Sequence, residues 1–452
     1  MQTWTPERVI AIAPDAAAAA AGQALASAKK WTGKGQSERA IWGLCQGSGK
    51  EPYQARVDLT EPAFKCSCPS RKFPCKHGLG LLLLFAKEPK GFVAVAEPEW
   101  VAVWIAGRAD KAEKKVERAK AAVDKPVDVE AQAKRVAARE GRVSDAIAMC
   151  RVWLEDVMRR GLAKAQTEDG AAWERIATRM VDAQAPGLAG MIRRIPEVLA
   201  SGSGWDVRTL DLLGRLHLLL LAGERIGDLP PDLAVDARTA LGWNQSKDDV
   251  LVGTGVDDSW VTMGQVVQGE DRLRVRRTWL VGRKSLRRAM MLDFAAGSQP
   301  LEPCVPAGSE FEGEIVFYPG RAPLRGLVKS KTSERMIDVD LGPAADASIE
   351  EGLCRYAEAL GANPWLTCWP LALANVRVAQ DGKRWYLVDS EGYGLPLKQS
   401  FVDAMQLWRL ISASSGSVLT VLAEWDGERA LPIGAFDPTN RVYHDLATRW
   451  VA

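Results

Sequence analysis

Four residues with metal-binding side chains stand in two tight pairs near the N-terminus. One residue separates Cys66 from Cys68 and another separates Cys75 from His77, with six residues between the pairs. Side chains at positions i and i+2 of an extended strand point the same way, so each pair can contact one side of an ion. A structural Zn²⁺ takes four thiolate and imidazole ligands in a tetrahedron. The spacing therefore predicts one zinc ion bound by all four residues.

The rarity of these residue types supports this interpretation. The chain has eight cysteines and three histidines, and three of the cysteines fall within ten positions. The alternative, one or two buried thiols beside an unrelated histidine, is disfavoured by the spacing. A disulfide is disfavoured as well, because the sequence shows no secretory signature and a cytosolic compartment keeps thiols reduced.

The arrangement Cys-x-Cys, six residues, Cys-x-His resembles the SWIM zinc finger. Residues 40–49 and 53–59 predict a strand, a turn and a strand before the ligands, and residues 76–85 predict a helix after them. The resemblance to bacterial SWIM-containing proteins covers about residues 1–95. It implies a module that binds one zinc ion and contacts DNA or protein. It also implies a partner of the AAA-type ATPase or von Willebrand type.

Basic residues surround the predicted metal loop. We call Lys65, Arg71, Lys72 and Lys76 the basic knuckle. The helix expected beside the ligands adds its positive N-terminal end, so phosphate or acidic side chains are suitable ligands. Two functions stay open: an adaptor that binds proteins, and a protein that binds DNA or RNA through the basic knuckle. The net charge of only +2 favours the adaptor slightly, because it provides no global basic field.

Catalysis is not expected. Four protein ligands leave a zinc ion no open position for water or substrate. Residues 47–50, Gly-Ser-Gly-Lys, resemble a phosphate-binding loop, but Leu44 replaces the required glycine and Glu51 the required Ser or Thr. The sequence shows no nucleophile motif and no pairing of histidine with carboxylate. We therefore predict a non-enzymatic protein.

The length of 452 residues predicts several domains. We expect a multidomain α+β chain in which an N-terminal zinc finger, built from a hairpin and a helix, precedes a helical domain and a β-rich, α+β region. The predicted divisions are the zinc-finger module at 1–107, a charged linker helix at 108–127, a helical domain at 128–245, a β-rich domain at 246–345 and an α+β domain at 346–452.

Hydrophobic periodicity places the individual elements. The alanine run at 16–21 predicts a helix to about residue 28, packed on the zinc module. Further helices are predicted at 130–140, 143–160, 171–184, 188–199, 209–225, 348–360 and 401–412. Strands are predicted at 249–253, 260–268, 272–281, 290–294, 312–318 and 324–329. Two Asp-Gly turns, at 381–382 and 426–427, predict hairpins.

The remaining basic, histidine and cysteine residues that could bind ligands are interpreted mainly as parts of the folded structure. Residues 272–279 alternate arginine with apolar residues, and more basic residues follow to position 288. Such a strand binds phosphate or an acidic partner under one hypothesis, and is a solvated face balanced by acids under the favoured one. His217 is expected to be a hydrogen-bonded core or edge histidine, and Cys354 and Cys368 are expected to be core thiols.

No membrane association is expected. The apolar run at 79–86 is far shorter than the ~20 residues that cross a bilayer. Glu7 and Arg8 near the start do not fit a signal peptide. A cytoplasmic location is the resulting prediction.

Overall fold

A computed structural model describes residues 4–13, 16–47, 51–60, 63–70, 74–108, 129–270, 273–296, 299, 301, 304–338 and 340–446. These residues form an N-terminal unit (4–108), a helical unit (129–251) and a C-terminal unit (256–446). The mixed α+β fold class predicted from the sequence is confirmed. The linker helix predicted at 108–127 lies outside the described residues except for its first position.

The N-terminal unit is a five-stranded sheet with helices on both faces. The strand order is β4-β3-β2-β1-β5, and every pair is antiparallel except β1 with β5. The predicted hairpin is the β2–β3 pair, at the centre of this larger sheet. The helices are α1 (Pro6–Ala11), α2 (Ala16–Leu25), α3 (Lys76–Lys87) and α4 (99–108). The strands are β1 (Trp31–Gln36), β2 (Ala40–Cys45), β3 (Tyr53–Asp58), β4 (Ala63–Cys66) and β5 (Val93–Ala94).

The inner face of this sheet is apolar and packs against α1, α2 and α3. A Cβ on Gly22 would lie 2.9 Å from the Cβ of Leu79, and one on Gly80 would lie 2.7 Å from the Cβ of Leu25. Glycines at both positions therefore allow α2 and α3 to approach closely. The predicted packing of the alanine-rich helix on the zinc module is confirmed, although the helix ends at Leu25 rather than near residue 28.

The helical unit contains seven helices within the described residues. The two helices predicted at 130–140 and 143–160 are one continuous helix. Gly141 lies exposed between them, and a glycine costs only about 1 kcal/mol in a helix. The predicted strand at 249–253 is wrong, because Ser246 caps a short helix there by accepting from the amide of Asp248. The helices are α5 (Val129–Arg160), α6 (Leu162–Ala165), α7 (Gly170–Asp182), α8 (Pro186–Leu199), α9 (Trp205–Glu224), α10 (Pro231–Leu241) and α11 (Lys247–Leu251).

The C-terminal unit contains two six-stranded sheets. The first has the order β10-β9-β6-β7-β8, with β11 on β9, and the second has the order β14-β13-β12-β15-β16-β17. The first sheet comprises β6 (Val256–Glu270), β7 (Leu273–Gly282), β8 (Arg288–Ala296), β9 (Ser309–Phe317), β10 (Gly326–Lys331) and β11 (Arg335–Met336). The second comprises β12 (Trp369–Asp381), β13 (Arg384–Val388), β14 (Gly394–Pro396), β15 (Leu419–Trp425), β16 (Ala430–Asp437) and β17 (Val442–Asp445). The helices of this unit are α12 (Ile349–Ala362), α13 (Gln399–Asp403) and α14 (Gln406–Ser414).

Both predicted Asp-Gly hairpins are confirmed, as β12–β13 and β15–β16. The helix predicted at 401–412 is divided in two around Met405, whose φ of 42° is not helical. One hydrophobic core contains residues from both the 246–345 and the 346–452 segments. The division between those two segments stays a prediction.

The basic strand of the C-terminal unit does not form an external binding face. Four arginines between positions 276 and 288, on β7, on β8 and in the turn that joins them, pair with carboxylates inside the unit, and three of these pairs include a carboxylate that is nearly inaccessible to solvent. These arginines are therefore committed to the fold, and the phosphate-binding hypothesis for them is wrong. The favoured interpretation is confirmed in that acids balance these four arginines, but the pairs are largely buried and do not form a solvated face. The pairs are Arg276–Asp293, Arg277–Glu424, Arg283–Glu310 and Arg288–Asp346.

Two other residues also differ from expectation. His217 is exposed on α9 rather than part of the core, because the buried leucines of this helix lie on the opposite side. Cys354 is exposed on α12, whereas Cys368 packs against the core as predicted. In the part of the chain that the structure describes, no helix is both long and apolar enough to cross a bilayer.

Candidate metal centre

The four predicted ligands come from the end of a strand and the start of a helix. Cys66 is the last residue of β4, and Cys68 follows in the loop. Cys75 is the N-cap of α3, and His77 lies in its first turn. The Cys75 sulfur accepts from the amide of Gly78, which is the role that Ser or Asp takes at most helix N-termini. Helix initiation and ligand placement therefore depend on the same residue.

The ligand atoms converge. The three sulfurs and a ring nitrogen of His77 all lie within 4.8 Å of one another. Cys66 Sγ is 3.8 Å from His77 Nδ1. Tetrahedral zinc, with Zn–S near 2.3 Å and Zn–N near 2.0 Å, places neighbouring ligand atoms ~3.6 to 3.8 Å apart. The four side chains thus fit one metal ion with little adjustment, and they form a candidate metal-binding cluster.

Each sulfur also receives a backbone N–H. The amide of Cys68 donates to Cys66, the amide of Ser70 to Cys68, and the amide of Gly78 to Cys75. Hydrogen bonds of this kind stabilise thiolates over thiols, and they orient the ligands around a metal. The loop backbone is therefore folded to hold three negative sulfurs.

The thiols of the cluster share protons. The hydrogen bond from Cys66 lowers the pKa of Cys75 to about 4, and the same contact raises the pKa of Cys66. Burial raises the pKa of Cys68. A metal ion that binds all three sulfurs must displace the remaining protons, so metal binding releases protons.

Two aromatic rings frame the cluster. The ring of Tyr53 lies 4.9 Å from that of His77, centroid to centroid. A Cβ on Gly78 would come within 2.9 Å of Cδ1 of Phe64. Gly78 is therefore required for α3 to begin against β4. No role was predicted for Phe64 or Tyr53, and the glycine directly after His77 was the available signal.

A fifth thiol lies near the cluster. Cys45, at the end of β2, is buried and close enough for its charge to interact with that of Cys75. Burial raises the pKa of Cys45, although Lys76 and Lys30 lower it in part. Cys45 is not one of the four converging residues.

The basic knuckle is not one continuous surface among the described residues. Lys65 and Cys66 are consecutive in β4, so their side chains point to opposite faces of the sheet. Lys76 is exposed in the first turn of α3 and its charge acts on Cys45, on the inner side. Arg71 and Lys72 lie outside the described residues. A binding role for these four residues stays a prediction.

A small sheet and a helix joined by a closed Cys₃His set define a metal-binding finger. Comparison with protein families identifies which one: residues 56–85 match the SWIM zinc finger, and residues 138–241 match the SWIM-associated four-helix bundle domain. The chain therefore contains a SWIM zinc finger, as the ligand spacing had indicated, and a SWIM-associated four-helix bundle domain. The second match covers most of α5 and extends to the end of α10, a region where the sequence analysis found no diagnostic motif. The curated proteins and solved structures gave no match.

Proposed function

We propose that this protein is a non-enzymatic interaction adaptor whose N-terminal unit is held together by one structural Zn²⁺. The observation that carries the proposal is the convergence of four protein ligand atoms within 4.8 Å. An ion with four protein ligands has no open position, so it does not activate water or polarise a substrate. Its contribution is to folding.

The zinc is needed because the segment it closes has little other support. β4 is only four residues long, and α3 begins after a loop with no regular structure in its described residues. A structural zinc site contributes on the order of 10 kcal/mol to folding. The ion connects β4 to α3 and thereby fixes the helix whose leucines fill the core of the unit.

Exposed apolar side chains in the other two units support the adaptor function. Met405 and Trp408 are 71% and 57% exposed, and Trp408 lies 6.4 Å from the ring of Trp385. On α9, Val207 and Leu210 are 69% and 53% exposed. Aromatic residues and Met are enriched at protein interfaces. Partners of the AAA-type ATPase or von Willebrand type, in the cytoplasm, are our proposal from the family resemblance.

The zinc part of the proposal is tested by elemental analysis of the purified full chain. We expect one zinc per chain, and a loss of zinc in Cys66→Ser. Cys354→Ser is the matched control, because Cys354 is an exposed thiol of the C-terminal unit. Protein without metal, or a Cys66→Ser variant that keeps its zinc, contradicts the site.

The adaptor part is tested by a pull-down from cells of the native organism. The wild-type chain and Trp408→Ala serve as paired baits, since this substitution removes an exposed ring without touching the zinc unit. We expect a specific partner that the variant loses. Equal recovery with both baits shows that this surface is not an interface.

A further inference from the structure

A cleft opens on the C-terminal unit, beside the place where that unit contacts α10. Three elements form its walls: the turn between β7 and β8, the loop between β9 and β10, and the helix α12. Its volume is about 340 Å³. Pockets for small molecules are roughly 300–1,000 Å³ in volume, so the cleft is large enough for a compact ligand.

The lining of the cleft is basic. Four arginines and one glutamate border it, which gives the lining a formal charge of +3. The carboxylates that pair with three of these arginines are not part of the lining. An anion that enters the cleft therefore meets more guanidinium groups than carboxylates. The charged lining residues are Arg287, Arg288, Arg321, Arg355 and Glu358.

Two of the arginines keep most of their N–H groups free. Arg287 stacks on the ring of Phe317, 4.3 Å from its centroid, and forms no ion pair with any carboxylate that the structure describes. Arg321 pairs with Asp232 through Nε at 3.0 Å, and both of its terminal nitrogens lack a partner in the described ranges. That pair is exposed, and exposed pairs contribute little to stability. Arg321 can therefore turn toward a ligand at small cost.

The other two arginines share one carboxylate. Asp346 accepts from Arg288 at 3.0 Å and from Arg355 at 3.3 Å, so the two guanidinium groups are neighbours. Arg288 also donates to the carbonyl of Ala344, is buried, and takes no part in the site proposed below. Arg355 uses Nη2 for Glu351, which leaves its Nη1 without a partner among the described residues. Arg355 therefore adds a third set of donors to the cleft.

The walls are held in place by contacts that do not involve these free donors. The amide of Arg321 donates to the buried Asp236 at 2.8 Å, and the amide of Met290 donates to the carbonyl of Leu324 at 2.7 Å. The loop between β9 and β10 is thus anchored on both sides of the cleft. Ala359 is buried and packs α12 into the core. A site whose walls are fixed in advance loses less free energy on binding.

The uncharged lining residues are all apolar, and they include Leu286, Pro323 and Trp369. An inorganic ion would leave this part of the cleft unused, whereas an organic group would cover it. A phosphate group offers three oxygens to the donors of three arginines, and a carboxylate offers only two.

We propose that the cleft binds a small organic phosphate monoester. The phosphate lies between Arg287, Arg321 and Arg355, and the organic group lies on the apolar wall. This ligand site goes beyond the adaptor role and is separate from the zinc unit.

The test titrates phenyl phosphate into the full zinc-loaded chain by isothermal titration calorimetry. We expect Arg287→Gln and Arg321→Gln each to weaken binding about tenfold, because each removes charge-assisted hydrogen bonds. Arg325→Gln is the matched control, and its affinity should equal that of wild type. The guanidinium of Arg325 lies 4.2 Å from the ring of Tyr318, much as Arg287 lies on Phe317, but Arg325 is not part of the lining.

Two further variants test the site without removing an arginine. Asp232→Asn releases Arg321 from its ion pair, so phenyl phosphate should bind about two- to fivefold more tightly. Ala362→Trp fills the cleft and leaves its charges in place, so binding should be lost. Inorganic phosphate should bind wild type about tenfold more weakly than phenyl phosphate, because it gains no apolar contact.

Thermal unfolding of each variant shows whether it is folded. No binding by wild type, equal affinities of the three glutamine variants, or wild-type affinity in folded Ala362→Trp overturns the site. Unchanged affinity in Asp232→Asn overturns the role of Arg321. Benzoate bound as tightly as phenyl phosphate overturns the phosphate assignment. A phosphotyrosine peptide bound more tightly than phenyl phosphate overturns the assignment to a small molecule.

Discussion

The N-terminal and C-terminal units treat buried arginines in opposite ways. In the C-terminal unit, Arg288 is 3% exposed and pairs with Asp346, which is 1% exposed. In the N-terminal unit, Arg56 is 8% exposed and faces two tryptophan rings, and no ion pair joins it to a carboxylate among the described residues. The first arrangement uses its charge within the fold. In the second, burial lowers the pKa of Arg56 and the nearby charge of Cys66 opposes that shift, so a buried arginine does not imply a carboxylate partner.

The two units also differ in what closes their cores. Two six-stranded sheets share one large apolar core in the C-terminal unit. The N-terminal unit has a smaller core and relies on the Cys₃His cluster to connect β4 with α3. This difference implies that metal loss affects one unit and leaves the other folded.

The largest expected effect comes from removing a ligand. Cys75→Ser removes a thiolate ligand while its hydroxyl can still cap α3, and the loss of zinc, on the order of 10 kcal/mol, should unfold the N-terminal unit. Hydrogen exchange followed by mass spectrometry should show loss of protection in the strands and helices of the N-terminal unit and not in those of the C-terminal unit. Loss of protection in β12 and β15 as well would contradict independent units.

A smaller effect is expected from breaking the buried ion pair. Asp346→Ala leaves Arg288 charged and unpaired, which should lower the free energy of unfolding by about 3 to 5 kcal/mol. Urea unfolding followed at the C-terminal unit measures this loss. The double variant with Arg288→Met should recover much of it, because neither charge then remains buried. Glu130→Ala breaks an exposed pair with Lys134 and serves as the control, with an expected change below about 0.5 kcal/mol.

The packing of α3 against β4 gives an intermediate prediction. Gly78→Ala places a methyl group against Phe64 and should cost about 1 to 3 kcal/mol. Competition with a zinc chelator should show weaker metal retention, since the added methyl displaces the helix that carries His77. Phe64→Leu should restore retention in the double variant. If Gly78→Ala alone retains zinc as well as wild type, the close approach has no effect on the site.

The smallest effect is a difference in acid sensitivity. Burial alone would raise the pKa of Asp258, but hydrogen bonds from the side chain and amide of Ser285 and from the amides of Lys284 and Ser259 lower it. A folded-state pKa below the unfolded value of about 3.9 means that the stabilisation exists above that pH and disappears as pH falls through the folded value. The stability difference between wild type and Asp258→Asn should therefore shrink below about pH 4. Urea unfolding across this range tests it, and a constant difference would contradict it.

As pH falls, the N-terminal unit is expected to lose its metal before the C-terminal unit loses the stabilisation from Asp258. Protons compete directly with the metal ion for the three thiolates and the imidazole. Zinc release measured with a colorimetric chelator should therefore precede the acid response of the C-terminal unit as pH falls. Simultaneous responses would show that the two units are coupled.

The sequence predicted correctly the features whose residues lie close together in the chain. The four ligands lie within twelve positions, and both Asp-Gly turns are contained in single hairpins, so spacing alone identified them. β1 was missed because Trp-Thr-Gly-Lys-Gly-Gln has two glycines and no alternation of apolar with polar residues. The helix α4 was not predicted, although Trp100, Trp104 and Arg108 repeat every four residues.

The ion pairs could not be predicted, because their partners are far apart in the chain. Arg277 and Glu424 are separated by 147 positions, and no local pattern shows that β7 and β15 face each other. The same applies to Arg56, whose strand was predicted but whose aromatic neighbours come from a helix more than forty residues later. Contacts between distant parts of the chain therefore determine which basic residues form ion pairs inside the protein.

Glu424 of β15 forms hydrogen bonds that join the two sheets of the C-terminal unit. Its two oxygens accept from the guanidinium of Arg277 and from the indole of Trp279, both on β7 of the other sheet. The carboxylate of Glu424 thus connects the two sheets across their shared core. We therefore expect the two sheets of the C-terminal unit to unfold together, in one transition.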